Sequence, residues 1–303
     1  MSMIVCPLCR QPLARDPKTW RCERGHSFDV AREGYINLLP VQHKHSLDPG
    51  DDAQMIAARR EFLQTGYYGP LREAVLALLA PLGAQSLLDI GCGEGWYTGA
   101  LTAVAPEVVG LDIARTAIRL AAKRYPGVTW VVGSGAHMPI ADASVDLVAN
   151  IFTQMHIAEM ERVLRTGGHV LLVTPAPQHL RSLREALFEE VRGYDPGKFL
   201  AGFEAGFELV SRQEVCFPLA LDNAALRQLL QMTPYAWKAK AERRTALEAS
   251  EGHDSEAAFS LMLLRRRERV EVIPDPEPVE APEPEPAPAP VRRGWPGRKG
   301  SSD

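Results

Sequence analysis

From Ser86 onward, short aliphatic runs alternate with stretches of helical periodicity, the pattern of βα units feeding a parallel sheet. The runs SLLDI (86–90), EVVGLDI (107–113), VTWVVG (128–133), VDLVANIF (145–152) and HVLLVTPA (169–176) predict five strands, with helices between them over 96–104, 114–124 and 156–165. A helix over 179–192, a strand over 207–220, a helical stretch over 222–249 and a last strand over 258–266 follow. Seven strands, the final two antiparallel, complete a doubly wound α/β sheet. Upstream, the Asp-rich DPGDDAQ opens a helix that Gly66 ends, and LREAVLALLAPLG predicts a second helix stopped by Pro81. The first 36 residues are poor in large aliphatics and need a staple to fold.

The expected organisation is a cysteine-containing module over 1–36, a helical connector over 37–85, an α/β domain over 86–266 and a tail over 267–303. Eight prolines fall between Pro274 and Pro290, alternating with Glu and Ala, so the tail is expected to be disordered and polyproline-like, with no catalytic role. A tethering or RNA-contacting use of its basic end stays open.

Charge sharpens this picture. The chain of 303 residues carries 34 basic and 38 acidic residues, net −4. Residues 271–290 alone hold six acidic and no basic residues, which leaves the remainder at about +2. A nucleic-acid partner is allowed but not demanded. The longest apolar stretch, around Ala74–Ala80, falls well short of a membrane span, and MSMIVCPLCR has no signal-peptide core. The expectation is a cytoplasmic protein without a membrane partner.

Three of the five cysteines crowd the first 22 residues. Cys6, Cys9, Cys22 and His26 form C-x2-C-x12-C-x3-H, four nitrogen and sulfur ligands spaced for one tetrahedral zinc ion. A closed shell leaves no open position, so the zinc is expected to be structural. The module's basic residues (Arg10, Arg15, Lys18, Arg21, Arg24, Arg32) outnumber its acidic ones, which fits a nucleic-acid reader and a solvated surface equally well.

The segment LLDIGCGEGWYT puts Asp89 at the end of a strand, then Gly91, Gly93 and Gly95, then a helix. The spacing is G-x-G-x-G, with Trp96 where a dinucleotide fold has its third glycine. No pyrophosphate seat is implied, and an acidic opening suits the cationic methionine end of S-adenosylmethionine. Asp112 ends the next strand 19 residues after Gly93, placed to accept hydrogen bonds from ribose hydroxyls. Ser134 and Gly135, after the third strand, are placed to border the adenine.

With these motifs the chain resembles the class I S-adenosylmethionine-dependent methyltransferases, which have a Rossmann-like seven-stranded sheet. Including CPLCRQPL, CERGHSFDVAREGYINLLPVQHKHSLDPGDDAQMIAARREFL and LLQMTPYAWKAK, it resembles the bacterial large-subunit (23S) ribosomal RNA guanine-N1-methyltransferases over about residues 4–265. The resemblance implies a zinc-ribbon or knuckle module that grips a 23S rRNA hairpin, one structural Zn2+ per chain, S-adenosyl-L-methionine as methyl donor, and a homodimer. It carries zinc ligation to Cys6, Cys9, Cys22 and His26. It carries cofactor contact to Gly91, Gly93, Gly95, Asp112 and Tyr68, and also to Thr98, Gly99 and His179, beside Asp89 and Ser134 read from their places at strand ends. Helix-end packing explains Tyr68 as well, and His179 could be a helix N-terminal residue without a ligand.

Strand four ends in Asn150-Ile-Phe-Thr, not the N-P-P-Y of exocyclic-amine methylation, which fits a ring nitrogen and many small-molecule enzymes alike. No general base is assigned; Glu159 and His156 are candidates. Trp96, Phe152, Tyr235 and Trp237 are candidates to stack on an extruded base. Arg181, Arg184, Lys238, Lys240, Arg243, Arg244 and Arg265 to Arg267 could meet phosphate or water. Two other functions stay open, methylation of a small metabolite and a non-enzymatic zinc-ribbon assembly factor.

Overall fold

The computed structural model describes residues 3–43, 50–191, 196–233 and 235–268; the expectation for the tail beyond 268, and the side chain of Trp237, fall outside the described residues. The chain begins with a hairpin of β1 (Thr19–Arg21) and β2 (Ser27–Asp29), then β3 (Tyr35–Asn37). Next come α1 (Ala53–Gln64) and α2 (Gly69–Leu79). The Asp52 side chain caps α1, accepting from the amides of Gln54 and Met55 at 2.8 Å each.

The βα succession follows as β4 (Ser86–Ile90), α3 (Trp96–Leu101), β5 (Glu107–Asp112), α4 (Arg115–Arg124), β6 (Thr129–Val132), β7 (Val145–Ile151), α5 (Ile157–Val163) and β8 (Leu164–Pro175). The last part is α6 (Arg181–Leu187), β9 (Phe207–Asp222), α7 (Asn223–Met232), α8 (Tyr235–Lys238), α9 (Ala241–Glu248) and β10 (Gly252–Arg266).

The main sheet has the order β3-β6-β5-β4-β7-β8-β10-β9. β10 pairs antiparallel with both β8 and β9, so it alone runs against the others. Every residue of β4 is buried, as a strand covered on both faces by helices requires. The seven anticipated strands are all present, and β3 adds an eighth from the cysteine-containing segment. It lies parallel to β6, Ile36 opposite Val131. Further ties hold the segment to the segment after β6, Val5 N to Pro139 O at 2.9 Å and Ala141 N to Met3 O at 2.8 Å. Ile4, Leu13, Ile36 and Leu38 thereby share a core with Met138 and Ile140. The module is welded to the sheet edge, and residues up to Glu268 pack as one unit.

The helical stretch over 222–249 is three helices. Thr233, which precedes Pro234, is extended at φ −107, ψ 150, the conformation a following proline favours. β10 starts six residues before the expected 258 because it forms a long ribbon with β9, Gly252 opposite Asp222. Among the described residues, no helix is long and apolar enough to cross a membrane.

Candidate active site and metal centre

The carboxyl ends of β4, β5, β6 and β7 open onto a cavity of about 580 Å3, where a doubly wound sheet binds ligands. The glycine loop forms one wall. Gly91 has φ +65, and a Cβ there would collide with the side chain of Thr153, so the residue is restricted twice over. Asp112 closes the loop from the next strand: its Oδ2 accepts from Gly93 N at 2.8 Å and its Oδ1 from Ala114 N at 2.7 Å. A carboxylate has about four acceptor positions, so capacity for ribose hydroxyls remains. Burial raises the Asp112 pKa, and the two amides pull it back.

Gly91, Gly93, Asp112 and Ser134 line this cavity. Asp89, Gly95, Thr98 and Gly99 do not; they support its wall from behind. Asp89 is 2% exposed and accepts from the Thr98 hydroxyl at 2.6 Å. Burial pushes its pKa up to about 7 against the pull of that hydroxyl. Gly95 leaves room for Trp130 and Gly99 for the Tyr125 ring, so both glycines serve packing.

Glu94, which the sequence offered only as a spacer between glycines, lines the cavity with Oε1 lacking any hydrogen-bond partner among the described residues. Burial raises its pKa. An acceptor left free in a cavity wall suits a cationic ligand, so the donor set fits the α-amino and sulfonium groups of S-adenosylmethionine.

After β7 the chain turns sharply. Asn150 Nδ2 donates to Gln154 O at 3.1 Å, and Phe152 takes φ +57. A second cavity of about 570 Å3 adjoins here and shares Arg59, Phe152, Thr153 and Gln154 with the first. Tyr68 and His179 line this second cavity, not the first. His179 Nδ1 accepts from Ala258 N at 3.1 Å, and burial lowers its pKa to about 3. The ring is therefore neutral with its proton on Nε2, a donor and not a base.

Of the two proposed bases, Glu159 is committed elsewhere. It accepts from Met138 N at 2.7 Å and from Arg162 Nε at 2.6 Å; burial would raise its pKa, but these partners hold it below the usual range. His156 lines the first cavity, packed on Gly135, with its pKa lowered by burial. Trp96 carries the Arg72 guanidinium over its ring, 4.3 Å from the centroid, and so is already stacked. Phe152 and Tyr235 line the second cavity.

The basic residues are mostly engaged. Arg184 is buried and donates to Pro177 O at 2.9 Å, which removes it from any phosphate surface. Arg266 and Arg267 donate to the carbonyls of Leu164 and Phe207. Arg181, Lys240, Arg243, Arg244 and Arg265 sit in surface ion pairs, which are weak enough to exchange for phosphate.

The ligand atoms of Cys6, Cys9, Cys22 and His26 lie within 4.8 Å of one another. Cys9 Sγ stands 3.6 Å from Cys22 Sγ, and His26 Nδ1 stands 3.4 Å from the sulfurs of Cys6 and Cys22. A tetrahedron built on zinc bonds of about 2.3 Å to sulfur and about 2.0 Å to nitrogen has edges of about 3.5–3.8 Å, so the four fit one zinc ion. Two left-handed residues shape the knuckles, Arg10 at φ +62 and Gly25 at φ +84.

Comparison with known proteins agrees on both parts. The family model described as RlmA, N-terminal, a zinc ribbon, matches residues 4–47, and a methyltransferase domain model matches residues 88–172. The 23S rRNA (guanine(748)-N(1))-methyltransferase of Streptomyces fradiae is 35% identical over 240 residues, 77% of this chain and 85% of its own. YxjB of Bacillus subtilis (strain 168), which carries a provisional name of the same kind, is 32% identical over 84% of this chain and 93% of its own. The solved structure of the YcgJ protein from Bacillus subtilis covers 65% of this chain and 99% of its own at 20% identity, with a TM-score of 0.47.

Proposed function

The chain belongs to the 23S rRNA (guanine-N1)-methyltransferase family, and from that premise we propose that it methylates N1 of one guanine in a hairpin loop of large-subunit rRNA, with S-adenosylmethionine as donor. The observation that carries this reading is the similarity to the Streptomyces fradiae enzyme over 85% of that enzyme's length, zinc module and catalytic sheet together.

The bound cofactor supplies an electrophilic methyl on a sulfonium. The chain's residues orient it: the glycine loop admits close backbone approach, Asp112 offers acceptors for ribose, Ser134 and Gly135 border the adenine, and Glu94 offers an acceptor to a cation. With the donor bound, these residues would hold its methyl toward guanine N1, which gives up its proton on methylation. Most of the rate gain then comes from holding the nucleophile in line with the methyl. Cys6, Cys9, Cys22 and His26 would hold a zinc ion that ties the module's loops together beside the core its Ile4, Leu13 and Ile36 share with the sheet. Tyr68 and His179 act from the second cavity, and Asp89, Thr98, Gly95 and Gly99 by shaping the loop.

This reading divides the chain into a zinc module (1–36), a connector (37–85), a catalytic domain (86–266) and a tail (267–303). It takes the active form as a homodimer with two zinc modules flanking the RNA. Sedimentation of the full chain tests that point, a monomer mass with and without RNA contradicting it.

The activity is tested with unmethylated 23S rRNA transcript and cofactor labelled in the methyl group. Label in N1-methylguanosine after digestion supports the reading; label absent from RNA contradicts it.

A further inference from the structure

Arg10 follows the zinc ligand Cys9 and holds a left-handed backbone, φ +62, a conformation that costs a residue with a Cβ and persists where its surroundings enforce it. Its amide donates to Cys6 O at 2.9 Å, which closes the first knuckle, while its guanidinium reaches out of the module. Nη1 donates to Met138 O at 2.8 Å and Nη2 to Ile140 O at 2.9 Å. Arg162 of α5 reaches the same two carbonyls, Nη2 to Met138 O at 3.1 Å and Nη1 to Ile140 O at 2.7 Å. Satisfying these carbonyls requires only Arg162. A second guanidinium beside it is a like charge, and it is tolerated because Asp142 Oδ1 accepts from both, at 3.2 and 2.6 Å, and Glu159 Oε1 accepts from Arg162 Nε at 2.6 Å.

The stretch gripped in this way runs directly into a wall of the first cavity. Ser134, Gly135 and Ala136 line that cavity, and Met138 follows two residues later. The links between them are short: Ala136 N donates to Ser134 Oγ and His137 N to Ser134 O, both at 3.2 Å. The α5 segment braces the same stretch at two points, with His156 packed on Gly135 and Glu159 Oε2 accepting from Met138 N at 2.7 Å. Met138 and Ile140 are fully buried, so a shift at one end has little free space to absorb it before it reaches the other.

We propose that Arg10 is a positioning residue that couples the zinc centre to the cofactor cavity. With Cys6 and Cys9 held by the metal, its guanidinium fixes residues 138–140 and, through them, the wall formed by residues 134–136. Zinc and cofactor then each strengthen the other's binding, because both favour the same arrangement of this stretch. This rests on the reading that the cofactor occupies the first cavity with its adenine beside Ser134 and Gly135.

The test uses the full chain and S-adenosylhomocysteine, the cofactor without its transferable methyl. In the zinc-loaded wild type, chelator competition is expected to show zinc held about 5–20-fold more tightly when this ligand is saturating. Calorimetry on the zinc-stripped chain is expected to show the ligand still bound, but more weakly by the same factor. Arg10→Ala keeps all four zinc ligands, and its linkage is expected to shrink to within about twofold of none. Arg10→Lys restores one donor and is expected to recover part of the linkage, whereas a side chain that served only the module's folding would leave it at the wild-type strength. If Arg10→Ala does not fold, Arg10→Lys carries the comparison: reduced linkage supports the proposal and undiminished linkage overturns it. Full linkage in Arg10→Ala overturns it as well. A wild type that binds no S-adenosylhomocysteine overturns this proposal together with the reading of the first cavity, whereas a wild type that binds it without regard to zinc overturns the coupling alone.

Discussion

Asp112 and Gly93, nineteen residues apart, are joined by a 2.8 Å hydrogen bond from the glycine amide to the carboxylate. The residue proposed to serve the ribose is thus also the clasp that sets the glycine loop. Asp112→Ala removes both roles. Hydrogen bonds to a charged group contribute about 1.5–3 kcal/mol, so cofactor Kd should rise by about 10–100-fold, measured by calorimetry. An unchanged Kd would contradict the clasp.

Glu94 leads to a pH dependence. Its pKa is raised by burial, so it takes up a proton at a higher pH than an exposed glutamate. A cation held by this carboxylate is released as the group protonates, so cofactor affinity should fall on acidification. Glu94→Gln should weaken binding by roughly tenfold and remove that part of the pH dependence. A variant with the wild-type affinity and profile would show that Glu94 is not a contact.

Asp89 acts on stability instead. Its pKa is about 7 in the fold, against 3.8 for the unperturbed group. The native state binds this proton more tightly, so the contribution is fully present below about pH 4 and is lost as pH rises through about 7. Asp89→Asn keeps an acceptor for Thr98 and abolishes the titration. Relative to that variant, the apo wild type should lose about 1.4 kcal/mol per pH unit across this window, followed by denaturant unfolding. A pH-independent difference would contradict the assignment.

The zinc cluster ties together the loops of the first 36 residues, whose buried side chains pack on the sheet. Cys9→Ser, or a strong chelator, should release the metal and lower the melting temperature by more than about 5 °C. RNA turnover should be lost, while the catalytic domain still binds cofactor. Full RNA turnover in zinc-free protein would remove the module from the mechanism.

Much of this was legible in the sequence for a local reason. The strands from Ser86 to Ala176 are buried on both faces and read as unbroken apolar runs, and the zinc tetrad is fixed by spacing along a short segment. β3 was not legible, because three residues, Tyr35–Asn37, become a strand only by pairing with β6 nearly a hundred residues away. The resemblance carried cofactor contact to Gly99, whose neighbour in space is the Tyr125 ring. The sequence singled out Tyr68, Phe152, His179 and Tyr235 separately, but not that they line one cavity. That cavity gathers Tyr68, Phe152, Thr174 and Phe259 from separate elements, and the left-handed Phe152 carries none of the glycine or asparagine signals that announce such a turn.

The central claim is tested most directly by mass spectrometry of 23S rRNA digests from cells with and without the gene. The account predicts the loss of one N1-methylguanosine on deletion, restored by the wild-type gene but not by Asp112→Ala. An N1-methylguanosine content unchanged by deletion would contradict it and return the chain to methylation of a small molecule.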